Sequence, residues 1–406
     1  MAYLSHLTLS NFRNLVQLDL ELPEGVVVFF GPNAQGKTTL LEAVYLLAIA
    51  RSFRAENERE VVNFHAAAEG GQALVGGTIE KAGERLGVYV GFQCIPATDG
   101  AGIANQGGGP GFSVRKEIRV SRVRRTAAEL VGTVNAVLFS AEDIQLVQGP
   151  PAGRRRYLDV LISQADPLYL RGLQRYQRVI QHRNQLLRML REGRAENEEL
   201  AFWNDELVRE GAWVTWRRHE VMAELSQSCT QHHRELAGPD ECLQMAYRPS
   251  VPLGEGLSAT EDRFRESLAA SQQRERAVAA TVIGPHRDDF NLLIDQVDMS
   301  TFASRGQART LALTLRLAEA AYLAMARAEG PIVLLDDVLS EMDAFRRRRV
   351  LEKVSQYQQT LITTTDLELL RGFFGTKATY YKVDGGKVCP MNEEPLDSPA
   401  MQRQPD

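Results

Sequence analysis

A chain of 406 residues, 44% hydrophobic and 24% charged, is long enough for two or three domains and ordinary in composition for a soluble globular protein. Its net charge of −5 excludes a whole-protein basic field, so any nucleic-acid surface must be a local patch. Cys94, Cys229, Cys242 and Cys389 form no C-x-x-C pair, which argues against a zinc site or a disulfide framework and fits a reducing cytoplasm.

No charged segment followed by an apolar one opens the chain, and no apolar run approaches the roughly 20 residues of a membrane-spanning helix. A cytoplasmic protein without a membrane partner is expected. Residues 3–22 alternate in hydrophobicity and predict two strands joined around Asn11–Asn14. Val26–Phe30 reads as a buried strand. It runs directly into Gly31-Pro32-Asn33-Ala34-Gln35-Gly36-Lys37-Thr38, which fits the phosphate-loop pattern G-x-x-x-x-G-K-[ST] at every constrained position. Thr39–Ala48 reads as the helix that must follow. Glycines let backbone N–H groups wrap phosphates and the helix N-terminus adds positive potential, so a nucleoside triphosphate is expected there. Lys37 would reach the β/γ-phosphates, and the Thr38 hydroxyl would bind Mg²⁺.

Downstream, Arg51-Ser52-Phe53-Arg54 forms a basic connector, and residues 73–93 predict a β-hairpin. Ala97–Gly111 is rich in Gly, Ala and Asn and predicts a mobile loop. Arg115–Arg125 alternates weakly; it fits either the solvated face of an edge strand or a phosphate-contacting surface. From Asp166 to Leu225 the period becomes helical, with Arg183 breaking the first apolar series, and predicts an antiparallel helical hairpin. Arg171, Arg175, Arg178, Arg183, Arg188 and Arg191 make its first helix one-sidedly basic, either a wet face or a surface for an anion. Gly238–Leu257 reads as a turn-rich break, Asp262–Ala279 as a helix, and the stretch past about Pro390 as a disordered tail.

Ile332–Leu335 is an apolar strand ending in Asp336 and Asp337. The first carboxylate would complete the Mg²⁺ site, and the second would polarise the attacking water as general base. Upstream, Ser304-Arg305-Gly306-Gln307 opens an amphipathic helix and offers a hydroxyl, backbone N–H groups and a helix dipole to an anion. An ordinary N-cap at Ser304 explains the same residues when they are taken alone. Ser-x-Gly-Gln ahead of an Asp-Asp strand resembles the signature motif of ABC-type ATPases, in which one subunit's signature meets the nucleotide of the other. Asp343, in Ser340–Asp343, sits where such ATPases carry the D-loop.

With Asn11–Asn14, Arg51–Arg54, Val137–Asp143, Arg154–Asp159 and Gly284-Pro285-His286-Arg287-Asp288-Asp289 added, the chain resembles the RecF family of recombination and gap-repair ATPases, of the ABC/SMC-like group. That resemblance implies an α/β ABC-type P-loop ATPase head, a mixed sheet with helices, carrying an inserted helical lobe without a long coiled coil. The lobes are expected at 1–138 plus 326–390 and at 139–325, with 391–406 as tail. It further implies slow ATP hydrolysis, an ATP-dependent homodimer enclosing two nucleotides, and binding of double-stranded and single-stranded or gapped DNA. RecO and RecR are the implied partners in loading recombinase. Arg13 and Asn14 are implied near the nucleotide base or phosphates. The chain departs from many ABC ATPases at Thr363-Thr364-Thr365-Asp366, where a histidine is usual, and neither Gln145 nor Gln148 is assignable as a Q-loop residue. A transporter ATPase subunit, a non-hydrolysing ATP-clamped scaffold and a nuclease-coupled ATPase are the competing readings. The basic helical insertion argues against the first, the paired aspartates against the second, and the lack of a further carboxylate cluster against the third.

Overall fold

The computed structural model describes residues 2–96 and 112–391; the Gly-rich segment 97–111 and the tail beyond 391 lie outside the described residues. Alternation in the N-terminal stretch produces a six-stranded antiparallel sheet in the order Leu15–Glu21, Ala2–Phe12, Gln72–Lys81, Glu84–Pro96, Phe112–Val120, Val123–Arg125. A second, mixed sheet of six strands runs Lys387–Pro390, Ala378–Asp384, Gly25–Phe30, Gln359–Thr364, Ile332–Asp336, Ala136–Ser140. All its neighbours are parallel except the terminal hairpin.

Register decides where the chemistry can be. Asp336 lies opposite Thr363 and Ser140, and Phe30 lies opposite Thr364, so the carboxyl ends of the parallel strands finish along one sheet edge. Ligands of open α/β sheets bind at that edge. The helix Lys37–Ile49 leaves it and is sandwiched between the two sheets, which is why Leu40, Leu41, Ala43, Val44, Leu46 and Leu47 are all buried rather than confined to one stripe. The Ala136–Ser140 strand runs two residues past 138, the boundary drawn from sequence, because its pairing with the Asp336 strand continues to Ser140.

Helices Pro151–Ala165, Pro167–Arg191, Leu200–Ala237, Leu257–Val278 and Arg305–Arg327 build the other lobe around its own core. The predicted hairpin is Pro167–Arg191 against Leu200–Ala237, short of a long coiled coil. Arg183 does not break the buried series. It is 1% exposed, paired with Glu275 at 2.5 Å, and also donates to Asn204 and Thr281. Arg175 is paired with Glu210. Two of the six arginines are therefore structural, with acid partners supplied by other helices and invisible in their own helix.

The turn-rich reading of Gly238–Leu257 needs correction. It contains the strand Leu243–Arg248, which pairs with Asp289–Ile294 in a three-stranded sheet completed by Val297–Asp298. Only Leu243 and Met245 of that strand are buried, too little alternation to stand out. Around Arg115–Arg125 the edge-strand reading gains support: Arg119 and Arg124 pair with Glu117, Arg125 with Glu129, and Lys116 with Glu58. No helix among the described residues is long and apolar enough to cross a membrane.

Candidate functional site

The phosphate loop holds a shape only glycine permits at two points. Gly31 has φ +152°, and a Cβ there would lie 2.2 Å from the Val383 carbonyl oxygen. Gly36, with φ +109°, is the N-cap of the following helix and makes no side-chain cap bond. Nothing from the cap side chain therefore occupies the first-turn N–H groups, the arrangement an anion needs. Gln35 braces the loop, donating to Asn33 O and accepting from Gly385 N at 2.7 Å. Lys37, 6% exposed, donates to the Gly31 and Pro32 carbonyls at 2.7 Å each. Burial pulls its pKa down, while the charges of Asp337 and Asp336 oppose that shift.

At the end of the Ile332–Asp336 strand, one strand removed from the strand that feeds the loop, Thr38 Oγ1 donates to Asp336 Oδ1 at 2.7 Å. Thr363 donates to the same oxygen at 2.8 Å and accepts from the Asp337 N–H at 3.1 Å. The strand that departs from the usual histidine thus supplies a hydroxyl bridge between the two acids. Asp337 takes φ +51°, a left-handed conformation that Asp tolerates, and its Oδ1 is buried without a partner. Burial, and secondarily the Asp336 charge against an opposing Lys37, raises its pKa. A hydroxyl, a carboxylate and an orphaned acceptor at one point fit a hard cation with oxygen ligands or an ordered water.

These groups share a cavity of about 800 Å³, a size proper to a small-molecule site. Asn33, Ala34, Gly36, Lys37, Thr38, Thr39, Asp336, Asp337 and Thr363 line it together with Arg13, Asn14, Arg54, Arg59, Asn63, Phe64 and Phe112. Asn14 Oδ1 accepts from Thr39 Oγ1 at 3.0 Å. Arg13 turns instead to Glu42, with Nη2 at 2.7 Å and Nε at 3.1 Å, and to the Glu60 carbonyl at 2.8 Å. Sequence reasoning missed Glu42. It is fully buried on the phosphate-loop helix and also accepts from Ser52 at 2.5 Å, so it ties the Asn11–Asn14 and Arg51–Arg54 motifs together. An acid inside an otherwise apolar helical run was the available signal. Phe64, 90% exposed at the cavity rim, carried no signal of its own.

The signature residues lie elsewhere. Ser304 caps the helix Arg305–Arg327: its Oγ accepts from Gln307 N at 3.2 Å, and Gln307 Oε1 accepts from Ser304 N at 3.1 Å, a capping box. Gly306 faces open space. Asp343 caps Ala344–Val354 and pairs with Arg346 at 2.8 Å. None of Ser304, Gly306, Gln307 or Asp343 lines the cavity that holds the phosphate loop. The signature helix does meet the turn after the carboxylates, through Arg309 and Glu341 at 2.8 Å. A single chain thus brings Gly31–Thr39, Arg13, Asn14, Asp336 and Asp337 together and leaves the signature and D-loop residues outside.

The remaining motifs build the helical lobe. Arg154 grips Asp289 with both ends of its fork at 2.7 and 2.8 Å. Asp288, 1% exposed, accepts from Tyr247 at 2.5 Å and Ser250 N at 2.7 Å. Arg218, buried, meets Asp159 at 2.7 Å and the Pro285 carbonyl. His286 is bonded to Tyr176 through Nδ1 at 2.6 Å and to the Thr281 carbonyl through Nε2, an arrangement that fits a neutral ring.

The family model described as RecF/RecN/SMC N terminal domain matches residues 3–385. DNA replication and repair protein RecF of Chloroflexus aurantiacus is 38% identical over 398 residues, covering 95% of this chain and 99% of that protein. The Herpetosiphon aurantiacus protein of the same name is 39% identical over 396 residues, covering 96% and 100%. Among solved structures, the recombination mediator protein RecF of the RecFOR pathway, as RecF-ATPrS, superposes with a TM-score of 0.84 at 30% identity, covering 96% of this chain and 98% of that one. The Smc head domain of Pyrococcus furiosus gives 0.51 at 13% identity, a likeness of fold alone. With identity above a third sustained along nearly its whole length, and an ABC-type ATPase head carrying a short helical lobe, the chain belongs to the RecF family.

Proposed function

We propose that this chain is an ATP-dependent DNA-binding protein of recombinational and gap repair, in which ATP closes a homodimer and slow hydrolysis releases it. One observation carries the reading: the phosphate loop and both aspartates share one open cavity, while the exposed signature turn of the same chain lies outside it. A second copy would complete the site with Ser304, Gly306 and Gln307, and with Asp343 across the interface. ATP would be held by Gly31–Thr39, with Arg13 and Asn14 beside it in the same cavity. Lys37 exchanges its two loop carbonyls for phosphate oxygens, and Thr38 and Asp336 hold Mg²⁺, which neutralises phosphate charge when bound. Asp337, its Oδ1 unpartnered, accepts a proton from the attacking water.

The division into an ATPase lobe (1–138 plus 326–390) and a helical lobe (139–325), and a cytoplasmic location, belong to the same reading. So do double-stranded and single-stranded or gapped DNA as ligands, and RecO and RecR as partners in loading recombinase. Size-exclusion chromatography with light scattering tests the core of it. Asp337→Asn with ATP and Mg²⁺ should accumulate dimer, and Ser304→Arg, which places a bulky cation on the signature turn, should remain monomeric. Equal dimer with and without nucleotide would refute nucleotide gating.

A further inference from the structure

Between the end of the phosphate-loop helix and the helical lobe lies a second cavity, of about 470 Å³. Arg51, Arg155 and Arg156 all line it. Among the described residues none of the three is paired with a carboxylate; Arg155 donates to the Asp288 carbonyl and to no acid. Asp159 also lines the cavity, yet its Oδ1 is taken by Arg218 at 2.7 Å and Tyr169 at 2.6 Å. His286 adds no negative charge. Burial and, after it, the Arg51 charge depress the Arg156 pKa, so the two cations repel one another.

Arg51 and Arg156 are exposed and Arg155 half-buried, so water screens part of their repulsion, yet like charges gathered at one cavity without counter-charge still favour an anion among them. Elsewhere in this lobe arginines meet acids: Arg154 with Asp289, Arg183 with Glu275, Arg316 with Asp143. Three guanidinium groups lining one cavity with no acid partner of their own are therefore a local excess of positive charge. Ile49, Val131 and Leu170 line the same cavity and offer an apolar wall beside the charges. Planar guanidinium forks match phosphate oxygens bidentately, and an apolar wall suits the sugar or base attached to them. Arg51 and Arg156 come from the two motifs, Arg51–Arg54 and Arg154–Asp159, that the sequence singled out and the nucleotide cavity does not use at these positions.

We infer that this interlobe cavity is a phosphate-binding site, with Arg51 and Arg156 as its anchors, separate from the nucleotide site. A strand phosphate and free phosphate share this chemistry; only the strand as source rests on the DNA-binding reading. The test uses the full chain and Arg51→Ala/Arg156→Ala, with Arg51→Lys/Arg156→Lys as the charge-keeping control. Fluorescence anisotropy with ATP, on labelled single-stranded and double-stranded oligonucleotides over a salt series, forms one arm. Thermal denaturation with added inorganic phosphate forms the other. Loss of two phosphate contacts should weaken DNA binding about tenfold and flatten the log K against log salt slope by about 2, with partial rescue by lysine. Affinity for a fluorescent ATP analogue should stay within about twofold, since neither residue lines that cavity. Unchanged DNA binding, with phosphate raising the midpoint of the wild type but not of the alanine pair, supports the site with free phosphate as its source. Unchanged DNA binding and equal phosphate response overturn it. Wild-type protein that binds no DNA at all refutes the repair reading, and the phosphate arm then decides the site alone.

Discussion

Glu42 makes a demanding test of the reasoning, because nothing but packing points to it. Its carboxylate is fully buried and takes Arg13 Nη2 at 2.7 Å, Arg13 Nε at 3.1 Å and Ser52 Oγ at 2.5 Å, with Arg54 further off at 3.9 Å. Removing one partner of a buried pair costs about 3–5 kcal/mol, because the other charge is left stranded. The two ends differ here. Arg13 is 21% exposed and keeps the Glu60 carbonyl, so Glu42→Ala should sit at the low end, about 3 kcal/mol. Arg13→Ala leaves the fully buried Glu42 with Ser52 and the more distant Arg54 and no route to water, and should sit higher, at about 4 kcal/mol. The double variant should recover about 2–3 kcal/mol relative to the sum. Urea denaturation followed by circular dichroism measures all four corners of the cycle. Additivity within about 0.5 kcal/mol would refute the claim that Glu42 and Arg13 act as a unit. Should the unit hold, Glu42→Ala also weakens binding of an ATP analogue, by releasing Arg13 from the cavity wall.

Two further predictions concern protons. Burial raises the Asp337 pKa, so its contribution to stability is present below the ordinary carboxylate range and lost as pH rises through the raised value. Asp337→Asn should therefore raise the thermal midpoint of the nucleotide-free protein near neutral pH and lose that advantage toward about pH 4, while hydrolysis falls on the order of 10²–10⁴-fold; an unchanged midpoint near neutrality would contradict the burial argument. Burial also pushes the His286 pKa down to about 4, against an ordinary value of about 6.5, so the fold keeps a neutral ring. Stability from this group is complete above the ordinary value and is lost as pH falls toward about 4, in total about 3 kcal/mol. His286→Gln should flatten the acid limb of a chemical-denaturation series; an identical slope in variant and wild type would remove His286 as its source.

What the sequence discloses here is chemistry whose partners lie nearby in the chain. The phosphate loop carries its own glycines, strand and helix within a short stretch, and Ser304 with Gln307 form a capping box three residues apart. Glu42 was opaque because its meaning depends on Arg13 and Ser52, which reach it from two other segments. Arg183 looked like an interruption for the same reason, since Glu275 arrives from a helix 92 residues later. The strand Leu243–Arg248 exists because Asp289–Ile294 pairs with it, and a short strand with two buried side chains has little periodicity to show. The Gly284–Asp289 motif marked the family by its residues, while its physical work, anchoring Arg154, Arg155 and Arg218, belongs to the lobe's interior.

The placement of charge pairs then separates what is locked by charge from what is locked by packing. Within the helical lobe two pairs are deeply buried, Arg183 with Glu275 at 1% exposure each and Arg218 with Asp159 behind a 2% exposed guanidinium. Breaking either leaves an uncompensated charge, at about 3–5 kcal/mol, so the lobe keeps one internal arrangement. Arg309 and Glu341, where the signature helix meets the turn after Asp337, are 47% and 39% exposed. A pair so open to water contributes about 0–1 kcal/mol and separates readily. The helix behind that pair is nevertheless held by packing: Leu313, Leu317, Ala320 and Leu323 share one buried cluster with Val333, Leu335, Val338 and Leu339 of the acid-bearing strand and turn. A composite site of the kind proposed, shared between two chains, would need that rigidity, because Ser304 of one copy must arrive in register with Asp336 of the other.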